Sequence, residues 1–274
     1  IIAGEWGYST VEGGPTEEQQ AQYVIRQWLS HLVEDVDLSI WYDWRNDGPD
    51  PRNIEHNFGL VMQDLQPKVS FTAAQVLNQT LEGYAFQRRI PLANPQDYVL
   101  MFSDGERVAL AAWTVRETEH TVTLPIMCDS VDIVTMLGEP ETVAVGETGL
   151  ELTLDNAPRY VHLCASETNT RLGLWRPVGS IQVLDSDGVG RVLVEVDNPF
   201  YETLQGVVQV TSQGTPLGET HVHAAPRDVT LISVPVIIED PSAAFQPATV
   251  RLVTPDSLPL QSALIRLHIP ANGR

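Results

Sequence analysis

The feature that most constrains this chain is a stretch of helical periodicity held between two strand-like runs. Apolar side chains recur at Ala21, Val24, Ile25, Trp28, Leu29, Leu32 and Val33. This is the i, i+3, i+4, i+7 spacing of a helix with one core-facing stripe. Gly13-Gly14-Pro15-Thr16 precedes it as a turn, and Thr16 with Gln19 fits a capping box. Glu17 and Glu18 fall in the first turn, where the helix dipole favours carboxylates. Ahead of the turn stands Ile1-Ile2-Ala3-Gly4-Glu5-Trp6, an apolar run that delivers a carboxylate and breaks at Gly7. Behind the helix comes Leu38-Ser39-Ile40-Trp41-Tyr42-Asp43-Trp44, rich in β-formers. Asn46-Asp47-Gly48-Pro49-Asp50-Pro51 is then a loop of strong breakers. A second, weaker helix follows, with Phe71, Ala74, Leu77 and Leu81 on one face.

Strand, helix, strand, loop, helix is the order of two successive units of a (β/α)8 barrel. In that architecture catalytic groups sit at the carboxyl ends of the strands, which is where this reading puts Glu5. From about residue 86 the texture changes to strand-length runs separated by turns: Tyr98–Phe102, Val108–Val115, His120–Ile126, Val131–Met136, Leu150–Leu154 and Tyr160–Leu163. Such spacing predicts an antiparallel sandwich. Ser166–Arg171 reads as a linker. Seven further runs follow: Ser180–Leu184, Arg191–Val196, Gln205–Thr211, Glu219–His223, Val229–Val236, Ala248–Val253 and Ala263–Ile269. Seven strands over about 100 residues suit an immunoglobulin-like sandwich. The expected fold class is therefore α/β plus all-β. Residues 1–85 supply the last part of a barrel, 86–165 a small β-sandwich, and 171–274 an immunoglobulin-like one.

Bulk properties narrow the partners. The formal net charge of −20 disfavours nucleic acid, whose phosphates need clustered Lys and Arg, and disfavours anionic membranes. No apolar run approaches the roughly 20 residues that span a bilayer. Cys128 and Cys164 are the two cysteines, without the CxxC spacing of a zinc site. Each follows a strand-like run in the same β region; two buried free thiols are the expectation and a disulfide the alternative. No Gly-rich phosphate loop, Gly-x-Ser-x-Gly elbow or His-Glu-x-x-His motif is present, and no cofactor is expected.

Gly4-Glu5-Trp6-Gly7-Tyr8-Ser9 resembles the seventh-strand nucleophile motif of retaining glycoside hydrolases on the (β/α)8 barrel, the clan of cellulase-like and β-xylosidase-like enzymes. Ser39 to Gly48 resembles the eighth strand and loop of a bacterial branch. Glu55-His56-Asn57-Phe58-Gly59-Leu60-Val61 with Gln66-Pro67-Lys68 resembles the clan's closing stretch. Tyr98–Phe102 and Leu110–Thr114 resemble the small β domain that often follows, so the likeness covers roughly 1–163. It implies an oligo- or polysaccharide substrate, hydrolysed by double displacement. One carboxylate attacks the anomeric carbon while another, about 5 Å away, protonates the leaving oxygen and then activates water.

By that resemblance Glu5 is the nucleophile. The clan's acid/base is an Asn-Glu on strand four, and no Asn-Glu dipeptide occurs here. The expectation is that this barrel segment of the same protein lies upstream of Ile1, and that the chain alone is inactive. Trp41 is expected to stack its ring on a sugar face; packing beneath the barrel's helices is the alternative. Asp43 points at sugar hydroxyls or at Arg45. Trp6, Tyr8 and His56 are further candidates to line the cleft, with packing or capping as their other roles. An extracellular or periplasmic location follows from the substrate.

The β regions offer weaker signals. His221 and His223 alternate onto one strand face but lack a third metal ligand. Asp185-Ser186-Asp187-Gly188 mimics the start of a calcium loop without its later Glu, which favours a hairpin turn. Trp113, Trp175 and Tyr201 are read first as packing aromatics. A competing reading is a non-catalytic carbohydrate-binding or cell-surface adhesion protein built of β modules. The first 60 residues speak against it, since such a module has no use for a carboxylate-ended strand followed by a helix.

Overall fold

The computed structural model describes residues 2–165, 169, 175–239, 244–253, 255 and 259–270. It divides into two compact units, one of Ile1–Arg88 with Gln96–Thr170, the other of Arg89–Pro95 with Arg171–Arg274. The chain is β-rich, and among the described residues its α-helices lie in the first unit.

The first unit opens with strand β1 (Ile2–Trp6), helix α1 (Glu17–Val33) and strand β2 (Leu38–Trp41). The two strands are parallel, with Ile2 beside Leu38, Ala3 beside Ser39 and Trp6 beside Trp41, and an irregularity between Ala3 and Trp6. α1 starts as its sequence predicts. Thr16 Oγ1 accepts from the Gln19 amide at 3.1 Å, and Gln19 Oε1 accepts from the Thr16 amide at 2.9 Å. Ala21, Val24, Ile25 and Leu29 are buried on its inner stripe. A 3-10 turn (Ile54–Asn57) leads to α2 (Val69–Thr80). The inner face of α2 buries Ser70, Ala73, Ala74 and Val76, with the predicted Phe71, Leu77 and Leu81 packed partly buried against the same core. The reason is the neighbour: Ser70 Oγ donates to Gln20 Oε1 of α1 at 3.0 Å, which turns the small residues inward and leaves Phe71 edge-on to Trp44.

Eight strands follow: β3 (Ala85–Arg89), β4 (Asp97–Ser103), β5 (Val108–Thr114), β6 (His120–Leu124), β7 (Ser130–Val134), β8 (Pro140–Ala144), β9 (Leu150–Leu154) and β10 (Arg159–Leu163). Six form one sheet in the order β3-β4-β5-β10-β7-β8, and β6 pairs separately with β9. β8 escaped the sequence reading because it is an exposed edge strand opening on a proline, where pairing is needed on one side only. A single apolar core joins Ile25 and Leu29 of α1, Ala73 and Val76 of α2, Trp41 of β2, and Leu100, Phe102, Trp113 and Tyr160 of the six-stranded sheet. Trp113 is buried and stacks on Tyr98 at 4.7 Å, so it packs. The cysteines correct the free-thiol expectation: Cys128 and Cys164 form a disulfide, with Cα atoms 5.8 Å apart. The strand-like runs before them bring both residues to the same end of the unit.

The second unit holds β11 (Trp175–Pro177), β12 (Ile181–Val183), β13 (Val189–Asn198), β14 (Leu204–Ser212), β15 (Thr215–Ala224), β16 (Asp228–Ile237), β17 (Phe245–Val253) and β18 (Pro259–His268). Its sheets run β11-β13-β16 and β12-β18-β17-β14-β15. One core of alternating side chains lies between them, including Val192, Val194, Val208, Val210, Val234 and Val250. Trp175 belongs to this core, whereas Tyr201 is exposed beneath the Arg227 guanidinium. Asp185 to Gly188 is a tight turn, with Asp185 Oδ1 accepting from the amides of Asp187 and Val189. It links strands of different sheets and so is not a hairpin. The predicted linker Ser166–Arg171 falls, except for Asn169, outside the described residues.

Candidate functional site

Glu5 lies at the carboxyl end of β1, one residue before the Trp6–Trp41 pairing, and it is exposed. Alternation along β2 sets the two sides of this small sheet. Ser39 and Trp41 turn toward the helices: Ser39 Oγ lies 2.7 Å from His31 Nδ1, and Trp41 is 9% exposed within the core. Leu38 and Ile40 turn the other way and are exposed, as is Ile2 beside Leu38.

Trp41 therefore departs from expectation. Its indole donates to the Phe58 carbonyl at 3.2 Å and its ring belongs to the core that holds Val24, Ile25 and Leu60, so little of it is open to a sugar. The alternation was legible in the sequence, but the orientation was not. The apolar stripe of α1 needs a large partner, and burying Trp41 there removes more apolar area from water than burying Tyr42 would.

Tyr42 follows directly on β2. Its amide donates to the Trp6 carbonyl at 2.9 Å, which continues the pairing past Trp41. Its ring is half-buried and edge-on to Phe58, with centroids 5.3 Å apart. Burial first, and then the carboxylates of Asp47, Glu55, Asp43 and Glu5, hold its phenol above the ordinary value. Glycine permits this approach: a Cβ on Gly7 would overlap the Tyr42 carbonyl oxygen, and one on Gly59 would overlap the Asn46 amide nitrogen.

The remaining candidates divide between cleft and scaffold. Trp6 is 53% exposed and meets Tyr8 edge-on at 6.4 Å. Tyr8 lies against Tyr23 of α1 at 4.6 Å, with part of its ring still open. Asp43 Oδ1 accepts from the Arg45 amide at 3.2 Å, so that oxygen shapes the turn. His56 is a packing residue: its ring fills the space beside Gly48, and its Nδ1 accepts from the Asp50 amide at 3.3 Å. Among the described residues no group of three His, Cys, Asp or Glu side chains is arranged to hold a metal, and no helix is long and apolar enough to cross a membrane.

Between α1 and the loops that follow β1 and β2 lies a buried polar network that the sequence reading did not single out. Gln20 is fully buried and its amide donates to the carbonyls of Tyr8 at 2.7 Å and Phe58 at 3.2 Å. Ser9 Oγ donates to the Ile54 carbonyl at 2.7 Å. Asn57 donates to the carbonyls of Asp50 and Asn53. Lys68, 1% exposed, donates to Thr10 Oγ1 at 2.9 Å and to the Asn57 carbonyl at 3.3 Å. These bonds tie the loop leaving β1 to the loop leaving β2. The visible signal was a run of polar residues inside helical or breaker-rich stretches.

Comparison with known proteins gives no match to any family model and none to a curated protein. Among solved structures the chain is similar to glycoside hydrolases. A family 39 glycoside hydrolase from the gut symbiont Bacteroides cellulosilyticus shares 31% identity at a TM-score of 0.52, over 58% of this chain and 33% of that enzyme. This chain thus spans about a third of that enzyme's length. A family 30 endoxylanase from Clostridium papyrosolvens shares 11% identity at a TM-score of 0.41, over 60% of this chain and 41% of that one. A family 86 β-porphyranase from Bacteroides plebeius shares 11% identity at 0.39, over 97% and 54%. Only the first of these three likenesses bears on function below.

Proposed function

We propose that residues 1–85 are the last two strand–helix units of the (β/α)8 barrel of a retaining glycoside hydrolase, with Glu5 as its nucleophile. The observation that carries this is the parallel β1–β2 pair with Glu5 at its carboxyl end, where its carboxylate is one of the charges acting on Tyr42. The 31% identity to a family 39 glycoside hydrolase supports the choice of chemistry. The open side of the pair, with Ile2, Leu38 and Ile40, has the composition of a barrel interior, where bulky aliphatic side chains fill the layers.

In this mechanism the Glu5 carboxylate attacks the anomeric carbon as the glycosidic C–O bond breaks, and a protonated carboxyl group delivers its proton to the leaving oxygen. Water then attacks the glycosyl ester, losing its proton to the same group, and Glu5 is released. That acid/base belongs to the intact enzyme, on strand four of the proposed barrel. Tyr42 and Trp6 line the sugar side, in place of Trp41. The substrate is an oligo- or polysaccharide. Residues 86–165 act as a barrel-associated sandwich and 171–274 as an immunoglobulin-like one. The Cys128–Cys164 disulfide favours an extracellular or periplasmic site of action.

The test is trapping with a panel of 2-deoxy-2-fluoroglycosides on the intact protein, followed by peptide mapping. Label on the peptide containing Glu5, abolished in Glu5→Gln, is the expected result. Stable label on another carboxylate with Glu5→Gln unaffected would refute the assignment.

A further inference from the structure

Lys68 is the only lysine in the 274 residues; every other basic side chain of the Lys/Arg pair is an arginine. It is also almost wholly buried. A buried ammonium is normally matched by a carboxylate, because desolvation otherwise disfavours the charge. Here its two hydrogen-bond partners are neutral, Thr10 Oγ1 and the Asn57 carbonyl. Of the elements packed around it, α1 presents one charged group, Glu17, whose carboxylate is itself engaged by the Val69 amide at 3.3 Å. The loop after β1 presents Thr10, and the loop after β2 presents the Asn57 carbonyl.

The position of this cation matters. Thr10 also donates to the Asn57 carbonyl, from its amide at 3.0 Å and its hydroxyl at 3.2 Å. The Lys68 amide donates to the Leu60 carbonyl at 3.1 Å. The side chain of Lys68 therefore closes a knot between Thr10, in the loop after β1, and Asn57, at the end of the 3-10 turn in the loop after β2.

We propose that Lys68 is a positioning residue whose charged ammonium locks the loop leaving β1 to the loop leaving β2, so that Glu5 and Tyr42 keep one mutual geometry only while it is protonated. The proposal rests on the glycosidase reading for the role of Glu5, but not for the lock itself. Charge-assisted donors bond more strongly than neutral ones. Burial lowers the Lys68 pKa to about 8, with Glu17 opposing the shift, so the lock loosens just above neutrality. Global stability runs the other way. Between about 8 and the ordinary value of 10.5 the unfolded chain holds a proton that the folded chain has lost, and folding strengthens as pH rises. A purely structural lysine would show only that second trend.

In the intact protein labelled with 13Cε and 15Nζ lysine, the Lys68 signal is assigned by its loss in Lys68→Met or its shift in Thr10→Val. Its expected midpoint is about 8. Backbone amides of Glu5, Gly7, Thr10 and Tyr42 are expected to shift with the same midpoint, and Lys68→Met to remove that component. Thr10→Val, which deletes one acceptor, should move the lysine and amide midpoints downward together, and it serves if Lys68→Met does not fold. A lysine midpoint near 10.5, amides that stay flat through the lysine titration, or amide shifts that persist in Lys68→Met would overturn the proposal. In the intact protein, the rate of fluoroglycoside trapping should fall about tenfold from pH 7.5 to 9.5 while thermal stability does not fall. Absence of trapping at every pH would count against the glycosidase reading, and the amide titration would still decide the lock.

Discussion

The first strand–helix region and the second unit bury polar groups in opposite ways. In the second unit the core is aliphatic and the strands alternate in and out with few exceptions. Across its two sheets a buried polar pin is Asn198, a neutral amide that donates to the carbonyls of Glu202, Ala224 and Ala225 and accepts from the Phe200 amide. In the first region the pin is charged, and Gln20, Ser70 and Asn57 are buried around it. A neutral, fully bonded amide holds a corner at any pH. A charged pin with neutral partners costs desolvation energy and makes local geometry depend on protonation. Polar burial of the second kind sits directly behind the candidate site, where two loops must be held rather than a core closed.

Four measurements sharpen or break this contrast, taken from the largest effect to the smallest. Replacing both Cys128 and Cys164 by serine opens a loop of sequence separation 36. Loss of about 4 kcal/mol is expected from the first unit alone, seen in denaturant as an earlier first transition beside an unmoved second one. Asn198→Ala should do the converse. It strands buried carbonyls and lowers the second transition by about 3 kcal/mol, and an equal fall in both transitions would show that the units do not unfold separately. For Lys68→Met, the informative quantity is slope. Wild type should gain about 1.4 kcal/mol per pH unit relative to the variant between pH 8 and 10, and parallel pH profiles would mean the buried amine is not shifted. Finally, Tyr160 is fully buried in the first core, its hydroxyl has no hydrogen-bond partner among the described residues, and burial raises its pKa. Tyr160→Phe should stabilise the first unit by about 1 kcal/mol, readable as a small rise in Tm.

Much of the first region was legible because its signals are local. The Thr16–Gln19 capping box, the stripe from Ala21 to Leu29 and the strand around Trp41 each depend on neighbours in sequence. Two strands joined by one helix then predict a parallel pair, and β1 and β2 are parallel. Strand order within the larger sheets was not legible, since β10 pairs with β5 and β7 across long separations. The disulfide was left open for the same reason: the spacing of Cys128 and Cys164 does not say that their strands end side by side.

The sequence by itself determined the periods, the breaks, and the residue types offered at the end of each strand. It placed Glu5 and the Trp41–Trp44 cluster at strand ends, because alternation and turn chemistry are properties of a few adjacent residues. Only the tertiary structure decided which face of β2 met the helices. That choice buried Trp41 and set Tyr42 against Phe58. Period two fixes that neighbours point apart, but the direction of each depends on which apolar surface arrives to cover it. The burial of the single lysine has the same origin: nothing near Lys68 in sequence announces it, and it becomes a pin only when Thr10 and Asn57 are brought together over it.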